Sequence, residues 1–364
     1  MIEALRGRRV VVCCGAGGVG KTTISAATAM ALAREGARTA VITIDPARRL
    51  ATALGVGELS DVPRRVPAEA GELWALQLDP KATFDRLVAR HAPDDAARER
   101  ILGNRIYRHL SGAVAGAQEY MAVERLHELM EGGDFDAIVL DTPPARNALD
   151  FLDAPQRITR FIEGRSLRLL LRPAGEAGRL GWRILHAGSS TVLSLLERLT
   201  GGQLLRDVAD FLAGFDGMYQ GFADRAKEVR RLLRSPDAGF VVIAAPRADA
   251  VHQALALAGR LREDGYPLAG VVLNRVHPLP ARGPAPPEAI APALAAAGAA
   301  DPARLAATAM EALGEEQLLA LRDLDAREAL AGAVDGIPVV EVPDHAVEPV
   351  ELRGLARVAD ALGP

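Results

Sequence analysis

A glycine-rich run near the N-terminus, residues 15–22, ends in a lysine followed by a threonine. Its sequence, Gly-Ala-Gly-Gly-Val-Gly-Lys-Thr, satisfies the pattern G-x-x-x-x-G-K-[ST] at every position. In this pattern the glycines let backbone N–H groups turn toward phosphate oxygens, the lysine reaches the β and γ phosphates, and the threonine hydroxyl binds Mg²⁺. The run therefore predicts a phosphate loop for a nucleoside triphosphate.

The context of the phosphate loop supports this prediction. An apolar strand precedes it and a helix follows it, whereas a glycine-rich turn that binds nothing needs neither. Lys21 is one of only three lysines among 43 basic residues, in a chain that otherwise uses arginine. The residues expected to bind ATP through this loop are Gly15, Ala16, Gly17, Gly18, Val19, Gly20, Lys21, Thr22 and Thr23.

Two carboxylates follow apolar strands and are candidates for the metal and the attacking water. Asp141 ends the run Ala-Ile-Val-Leu at residues 137–140, where a second Mg²⁺ anchor is expected, and residues 142–147 read as a sensor of the γ-phosphate. Asp45 ends another strand, where it could orient or deprotonate water. Each has a structural alternative, a helix N-cap or turn for Asp141 and the N-cap of a helix beginning at Pro46 for Asp45.

Short β-rich runs alternate with helical ones along the chain, which predicts an α/β fold with a mostly parallel central sheet flanked by helices. A helix is expected over 21–35 and a second over 350–362. The predicted strands are residues 10–14, 39–45, 73–78, 138–141, 240–243, 270–273 and 337–342.

Two helical stretches interrupt this alternation, and we assign them to a helical subdomain. The predicted organisation is an ATPase core of residues 1–79, 132–150 and 236–364, a helical subdomain of residues 80–131 and 151–235, and a Pro/Ala-rich loop at 277–302.

Composition excludes several classes of protein. The formal net charge of −4 and pI of about 6.0 do not fit a nucleic-acid-binding surface. Cys13 and Cys14 are neighbours, so a structural disulfide between them is not expected, and their use fits a reducing compartment. No signal peptide and no apolar run long enough to span a bilayer is recognised, so a soluble, cytoplasmic protein is expected.

Three ordered segments, residues 11–23, 43–47 and 141–144, resemble the phosphate loop and two switch regions of the arsenical-pump ATPase family, which includes the targeting factors for tail-anchored proteins. Residues 270–275 are similar to its adenine-contacting strand end, and 342–343 to its late adenine loop. The resemblance spans residues 9–361 and is weakest in 151–235 and 277–335.

The resemblance implies ATP-driven dimers with Mg²⁺ and with nucleotides near the subunit interface. It implies that Lys21 and Thr22 hold the phosphates and the metal, that Asp141 supports the metal, and that Asp45 orients water close to it. Asn274 and Pro343 would frame adenine, although from the residues alone Asn274 fits a turn-stabilising role better.

The chain departs from the family pattern at Ala16, where relatives usually carry a lysine that reaches the partner's phosphates. Three hypotheses follow: a slow homodimer, a paralogous partner that supplies the lysine, or replacement of its charge by Arg48, Arg49 or Arg146. Solvated positions at helix starts explain these arginines equally well. The cysteines that serve arsenite, zinc or iron–sulfur binding in relatives have no counterpart, which disfavours those functions.

We therefore expect a Mg²⁺-dependent ATPase, slow in isolation, that drives a dimer conformational cycle. The alternative is a weakly hydrolysing nucleotide-binding subunit of a hetero-oligomer. Apolar runs at 184–196 and 211–222 could form a groove for a hydrophobic protein client, but ordinary helix packing explains them as well.

Overall fold

The computed structural model describes residues 1–92, 94–104, 117–143, 219–280, 285–344 and 352–363. In this part of the chain eight strands form one sheet in the order β3-β4-β2-β5-β1-β6-β7-β8. All neighbouring strands are parallel except β3 and β4. The strands are β1 Val10–Gly15, β2 Thr39–Thr43, β3 Arg64–Arg65, β4 Leu73–Gln77, β5 Ala137–Asp141, β6 Ala238–Ala244, β7 Leu268–Val276 and β8 Val339–Pro343.

Helices cover both faces of the sheet, as a mostly parallel sheet requires. In the described residues they are α1 Lys21–Arg34, α2 Arg49–Ala53, α3 Pro80–His91, α4 Asp95–Gly103, α5 Ala117–Gly132, α6 Tyr219–Leu233, α7 Ala248–Glu263, α8 Ala291–Ala296, α9 Pro302–Ala333 and α10 Leu352–Ala361. No helix in these residues is long and apolar enough to cross a bilayer.

The central strand β1 is buried along its whole length, which explains its uninterrupted apolar sequence. Successive side chains point to opposite faces, so Cys13 packs into the core beneath α1 and α10, whereas Cys14 packs into the core on the other face. Both thiols are free and buried, in agreement with the prediction that they form no disulfide. The mostly parallel α/β architecture is likewise confirmed.

The segment at 277–302 differs from the predicted loop. It contains a single 3₁₀ turn, Pro287–Ala289, and the short helix α8, while residues 281–284 lie outside the described part. Alanine favours helix strongly, and proline in the first turn removes no hydrogen bond, so the Pro/Ala-rich composition is compatible with helix here.

The long helix α9 was missed by the sequence analysis although its start carries a clear signal. Asp301 caps it by accepting a 3.1 Å hydrogen bond from the N–H of Arg304, and Pro302 follows in the first turn. The helix runs for 32 residues between β7 and β8.

Helices α3 to α6 occupy the segments assigned to a helical subdomain. Apolar residues from all four pack in one core with the neighbouring face of the sheet, including Leu87, Ile101, Leu126 and Val229. Because residues 105–116 and 144–218 lie outside the described part, the division into core and helical subdomain stays a prediction.

Candidate nucleotide-binding site

Three loops that carry the predicted site residues leave the same edge of the sheet. Strand β5 lies between β1 and β2, and Asp141 is in register with Cys13 on one side and Thr43 on the other. Because all three strands are parallel, their carboxyl ends meet at this edge. The phosphate loop, Asp45 and Asp141 are thereby brought together from positions distant in sequence.

A cleft of about 920 Å³ opens at this edge. Its lining combines the phosphate loop with residues that follow β2 and β5 and with residues at or just beyond the ends of β7 and β8. This volume falls within the range of small-molecule sites. The cleft is lined by Gly18, Gly20, Lys21, Thr22, Thr23, Asp45, Arg48, Arg49, Thr52, Ala53, Thr142, Asn274, Arg275, Pro343, Asp344 and Val358.

The phosphate loop has a conformation that its glycines make possible. Gly18 and Gly20 have φ values of +76° and +88°, which L side chains rarely adopt. A Cβ atom on Gly15 would collide with the carbonyl of Ile243, and one on Gly20 would collide with the amide of Asn274. Such a loop can present its backbone N–H groups to an anion, as the sequence pattern predicts.

Lys21 is the first residue of α1 and is largely buried, with 8% of its surface exposed. Its ammonium donates a 2.9 Å hydrogen bond to the carbonyl oxygen of Ala16 and so folds over the phosphate loop. Burial lowers the pKa of Lys21, and the carboxylate of Asp141 acts in the opposite direction. A buried cation beside a loop of N–H donors is suited to a polyanionic ligand.

Asp141 is buried at the end of β5 and is surrounded by hydroxyl groups. Its Oδ2 accepts hydrogen bonds from Thr22 at 2.8 Å and Thr43 at 2.9 Å, and the hydroxyl of Ser25 lies 3.3 Å from Oδ1. Burial raises the pKa of Asp141, although the hydroxyl donors and Lys21 favour its charged form. Its position on the strand does not fit the alternative role as a helix cap.

The pair of Thr22 and Asp141 fits a magnesium ion. No group of three or more acidic, histidine or cysteine side chains in the described residues could hold a metal by itself. Mg²⁺, however, commonly takes one or two protein oxygens and completes its shell with waters and substrate phosphates. The Thr22 hydroxyl lines the cleft and is hydrogen-bonded to the carboxylate of Asp141, so these two groups would hold such an ion.

Asp45 lies two residues beyond the end of β2 and borders the cleft, with 22% of its side chain exposed. Its Oδ1 accepts a 2.9 Å hydrogen bond from the N–H of Ala47, and its Oδ2 lies 3.6 Å from Nη1 of Arg49. The alternative N-cap role predicted a helix beginning at Pro46, but α2 begins at Arg49. The carboxylate therefore stabilises a turn and also faces the cleft.

Asn274 and Pro343 also line the cleft and lie on β7 and β8. The buried amide of Asn274 donates a 2.8 Å hydrogen bond to the carbonyl of Val19, so it braces the phosphate loop. Arg275 beside it has a φ of +64°, a conformation rare for residues other than glycine. The structure thus gives Asn274 a bracing contact that the sequence did not predict.

Some site residues were missed and others lie outside the described residues. No individual role was predicted for Ser25 or Thr43, although both contact Asp141. Thr142, the first residue of the predicted γ-phosphate sensor at 142–147, lines the cleft. The sequence signal was present, since hydroxyl residues stand at the ends of β2 and β5 and on the first turn of α1. Residues 144–147, including Arg146, and the apolar runs at 184–196 and 211–218 lie outside the described part.

Residues 8–182 match the sequence model of the anion-transporting ATPase family. This segment of the chain is therefore a domain of that family. The matched segment contains the phosphate loop, Asp45 and Asp141, whereas the two segments that resemble adenine contacts, 270–275 and 342–343, lie outside it.

Curated relatives share the family domain at moderate identity. The chain is 28% identical over 286 residues to ATPase ARSA1 of Chlamydomonas reinhardtii, covering 72% of the chain and 34% of that protein. It is 27% identical over 288 residues to ATPase GET3B of Arabidopsis thaliana, covering 72% of the chain and 63% of that protein. An uncharacterised protein of Streptomyces coelicolor is 34% identical over 172 residues, which cover 47% of the chain and 42% of that protein. ATPase ARSA2 of Chlamydomonas reinhardtii is also similar, and the chain covers 66% of its length. The matched part of the chain thus covers between 34% and 66% of the length of these four relatives.

Proposed function

We propose that the chain binds ATP with Mg²⁺ in the cleft and hydrolyses it to ADP and phosphate. The observation that carries the proposal is the meeting of the phosphate loop, the Thr22–Asp141 pair and Asp45 at one sheet edge. The match to an ATPase family supports the same chemistry.

Each residue has a role in the proposed reaction. The loop N–H groups and Lys21 bind the phosphates and balance their charge. The Thr22 hydroxyl and Asp141 would hold the Mg²⁺ ion. Asp45 orients a water against the γ-phosphorus and accepts one of its protons as the new P–O bond forms and the bond to ADP breaks. Bound Mg²⁺ supplies positive charge to the phosphate oxygens.

We further propose that this hydrolysis drives a conformational cycle in a dimer. Asp45 lies in a loop between β2 and α2, where a change of contacts can move α2. A loop whose contacts depend on the γ-phosphate is a recognised way to couple hydrolysis to a change of shape.

A second function is favoured by Ala16. Its side chain is 4% exposed and packs in an apolar cluster, so this position brings no charge to the cleft. A chain that lacks this charge could bind ATP but hydrolyse it only weakly, with a paralogous partner supplying the missing cation. ATP would then control assembly rather than turnover.

Steady-state turnover of ATP by the purified chain with Mg²⁺, together with its mass in solution with and without nucleotide, tests both functions. Hydrolysis with a nucleotide-dependent homodimer supports the first function. Tight ATP binding with negligible turnover supports the second. Absence of ATP binding contradicts both, and removal of Mg²⁺ by a chelator must abolish turnover if the metal acts as proposed.

A further inference from the structure

Two adjacent arginines, Arg48 and Arg49, border the cleft at the start of α2. They have the same charge and nearly the same exposure, at 74% and 68% of the side chain. Their partners differ. Arg48 donates a 2.8 Å hydrogen bond to the carboxylate of Glu58, which is itself 73% exposed and does not line the cleft.

Arg49, the first residue of α2, lies instead beside Asp45. Its Nη1 lies 3.6 Å from Oδ2 of Asp45, the carboxylate proposed to orient water. After burial, which has the largest effect, the charge of Arg49 is a further cause that lowers the pKa of Lys21. Both residues line the same cleft, Lys21 as the first residue of α1 and Arg49 as the first residue of α2.

The ion pair of Arg49 and Asp45 is weak enough to exchange partners. At 3.6 Å it is longer than a direct hydrogen bond, and the arginine is mostly exposed, so solvent screens it strongly. A phosphate group carries more charge than a carboxylate and can accept two parallel N–H bonds from a guanidinium. A γ-phosphate in the cleft would therefore compete well for Arg49.

Building on the proposed function, we propose that Arg49 binds the γ-phosphate of ATP and releases Asp45 to orient the attacking water. ADP has no γ-phosphate, so with ADP bound the pair of Arg49 and Asp45 stays in place. The residue thus distinguishes ATP from ADP and supplies from within the chain a cation that Ala16 cannot provide. Arg48 lines the same cleft but pairs with Glu58 at 2.8 Å rather than with Asp45, so it is not assigned this role.

The test compares Arg49→Ala with Arg48→Ala, the matched control one residue away. Dissociation constants for a non-hydrolysable ATP analogue and for ADP are measured by titration calorimetry with Mg²⁺. We expect R49A to reduce the preference for the analogue over ADP by about tenfold or more, since hydrogen bonds to charged groups are worth about 1.5–3 kcal/mol. The affinity of R49A for ADP should stay within about twofold of the wild-type value. In R48A the preference for the analogue over ADP should also stay within about twofold of the wild-type value.

Arg49→Lys keeps the charge but loses the fork of donors, so it should recover part of the preference. The inference is overturned if R49A keeps the wild-type preference, if it weakens both ligands equally, or if R48A has the same effect as R49A. These outcomes differ from failure of the proposed function, in which the wild-type chain binds neither nucleotide. Thermal unfolding of each variant verifies that the exposed substitution leaves the fold intact.

Discussion

The two loops that meet at the phosphate end of the cleft are held in different ways. The phosphate loop is fixed from both sides, by Lys21 on the carbonyl of Ala16 and by Asn274 on the carbonyl of Val19. The loop of residues 44–48 is held by the turn at Asp45, by a bond from the N–H of Asp45 to the hydroxyl of Thr43, by a 3.1 Å bond from the half-buried Gln77 to Pro46, and by the pair with Arg49.

This difference suggests that the phosphate loop serves to bind the nucleotide, whereas the loop of residues 44–48 serves to change its contacts when the nucleotide is bound. A loop braced by buried contacts keeps its donors in place before a ligand arrives, which lowers the ordering cost of binding. A loop held partly by exposed polar contacts, such as the pair of Asp45 and Arg49, can change those partners when a phosphate enters, because each exposed contact contributes little. We therefore expect substitutions in the loop of residues 44–48 to alter turnover and those in the phosphate loop to alter binding or stability.

The largest effect is expected from Asp45→Asn. The amide keeps the size of the side chain and can still accept the N–H of Ala47, but it cannot take a proton from water. Turnover should fall by about 10²–10⁴-fold, the usual contribution of a general base. The dissociation constant for an ATP analogue should stay within about threefold of the wild-type value, which corresponds to less than about 1 kcal/mol. Undiminished turnover would remove Asp45 from the proposed role.

Lys21→Ala should act on binding rather than on turnover alone. It removes the buried ammonium, so ATP affinity should fall by about 100-fold, as expected for loss of a charged group that binds phosphate. Calorimetric titration measures this loss. The control is Lys81→Ala on α3, an exposed lysine paired with Asp85, which should bind ATP normally. Wild-type affinity in K21A would contradict the phosphate-loop assignment itself.

Gly20→Ala and Gly18→Ala separate two reasons for glycine in the phosphate loop. Both positions have positive φ, which costs a residue with a Cβ about 1–2 kcal/mol. Only at Gly20 would the added atom also strike the amide of Asn274, whereas Gly18 has open space.

We expect the free energy of unfolding, measured in urea, to fall further for G20A than for G18A by about 1 kcal/mol, the value of the lost brace. Equal losses would mean that the bond from Asn274 to Val19 does not stabilise the loop. Such a result would also remove the contrast drawn between the two loops.

The smallest effect is expected from Thr43→Val. This change deletes the hydroxyl that donates to Asp141 and accepts from the N–H of Asp45 at 3.2 Å, so it touches both loops. We expect the Mg²⁺ concentration needed for half-maximal nucleotide binding to rise by about tenfold, corresponding to roughly 1–2 kcal/mol. Thr39→Val is the control, since Thr39 is equally buried on the same strand but bonds only the carbonyl of Ala37. A similar shift in both variants would show that Asp141 does not need its hydroxyl donors.

The architecture could be predicted because its signals are local and strong. The apolar runs of β1, β5, β6 and β7 are buried on both faces and lie where expected, with ends that differ by one to three residues. The phosphate loop likewise depends on a short, contiguous pattern. Strand β2 ends two residues before its predicted end, at Thr43, because the chain turns at Asp45.

The contacts of the site were harder to predict because their partners are far apart in sequence. The carboxylate of Asp141 collects hydroxyls from α1 and β2, which are 116 to 119 and 98 residues away. Asn274 reaches Val19 across 255 residues. No periodicity or propensity encodes which side chains meet once strands align, so Ser25 and Thr43 were overlooked. Helix α9 was missed because its proline-rich surroundings indicated a loop.

By itself the sequence determined that this chain has a phosphate loop between a buried strand and a helix, and carboxylates at the ends of two further strands. Those features depend on backbone conformation and local apolar pattern, which a short stretch of residues encodes. Only the tertiary structure decided between Arg48 and Arg49, neighbours with the same chemistry. One is directed to Glu58 and the other to Asp45, because the turn of the chain after β2 places consecutive side chains against different parts of the fold.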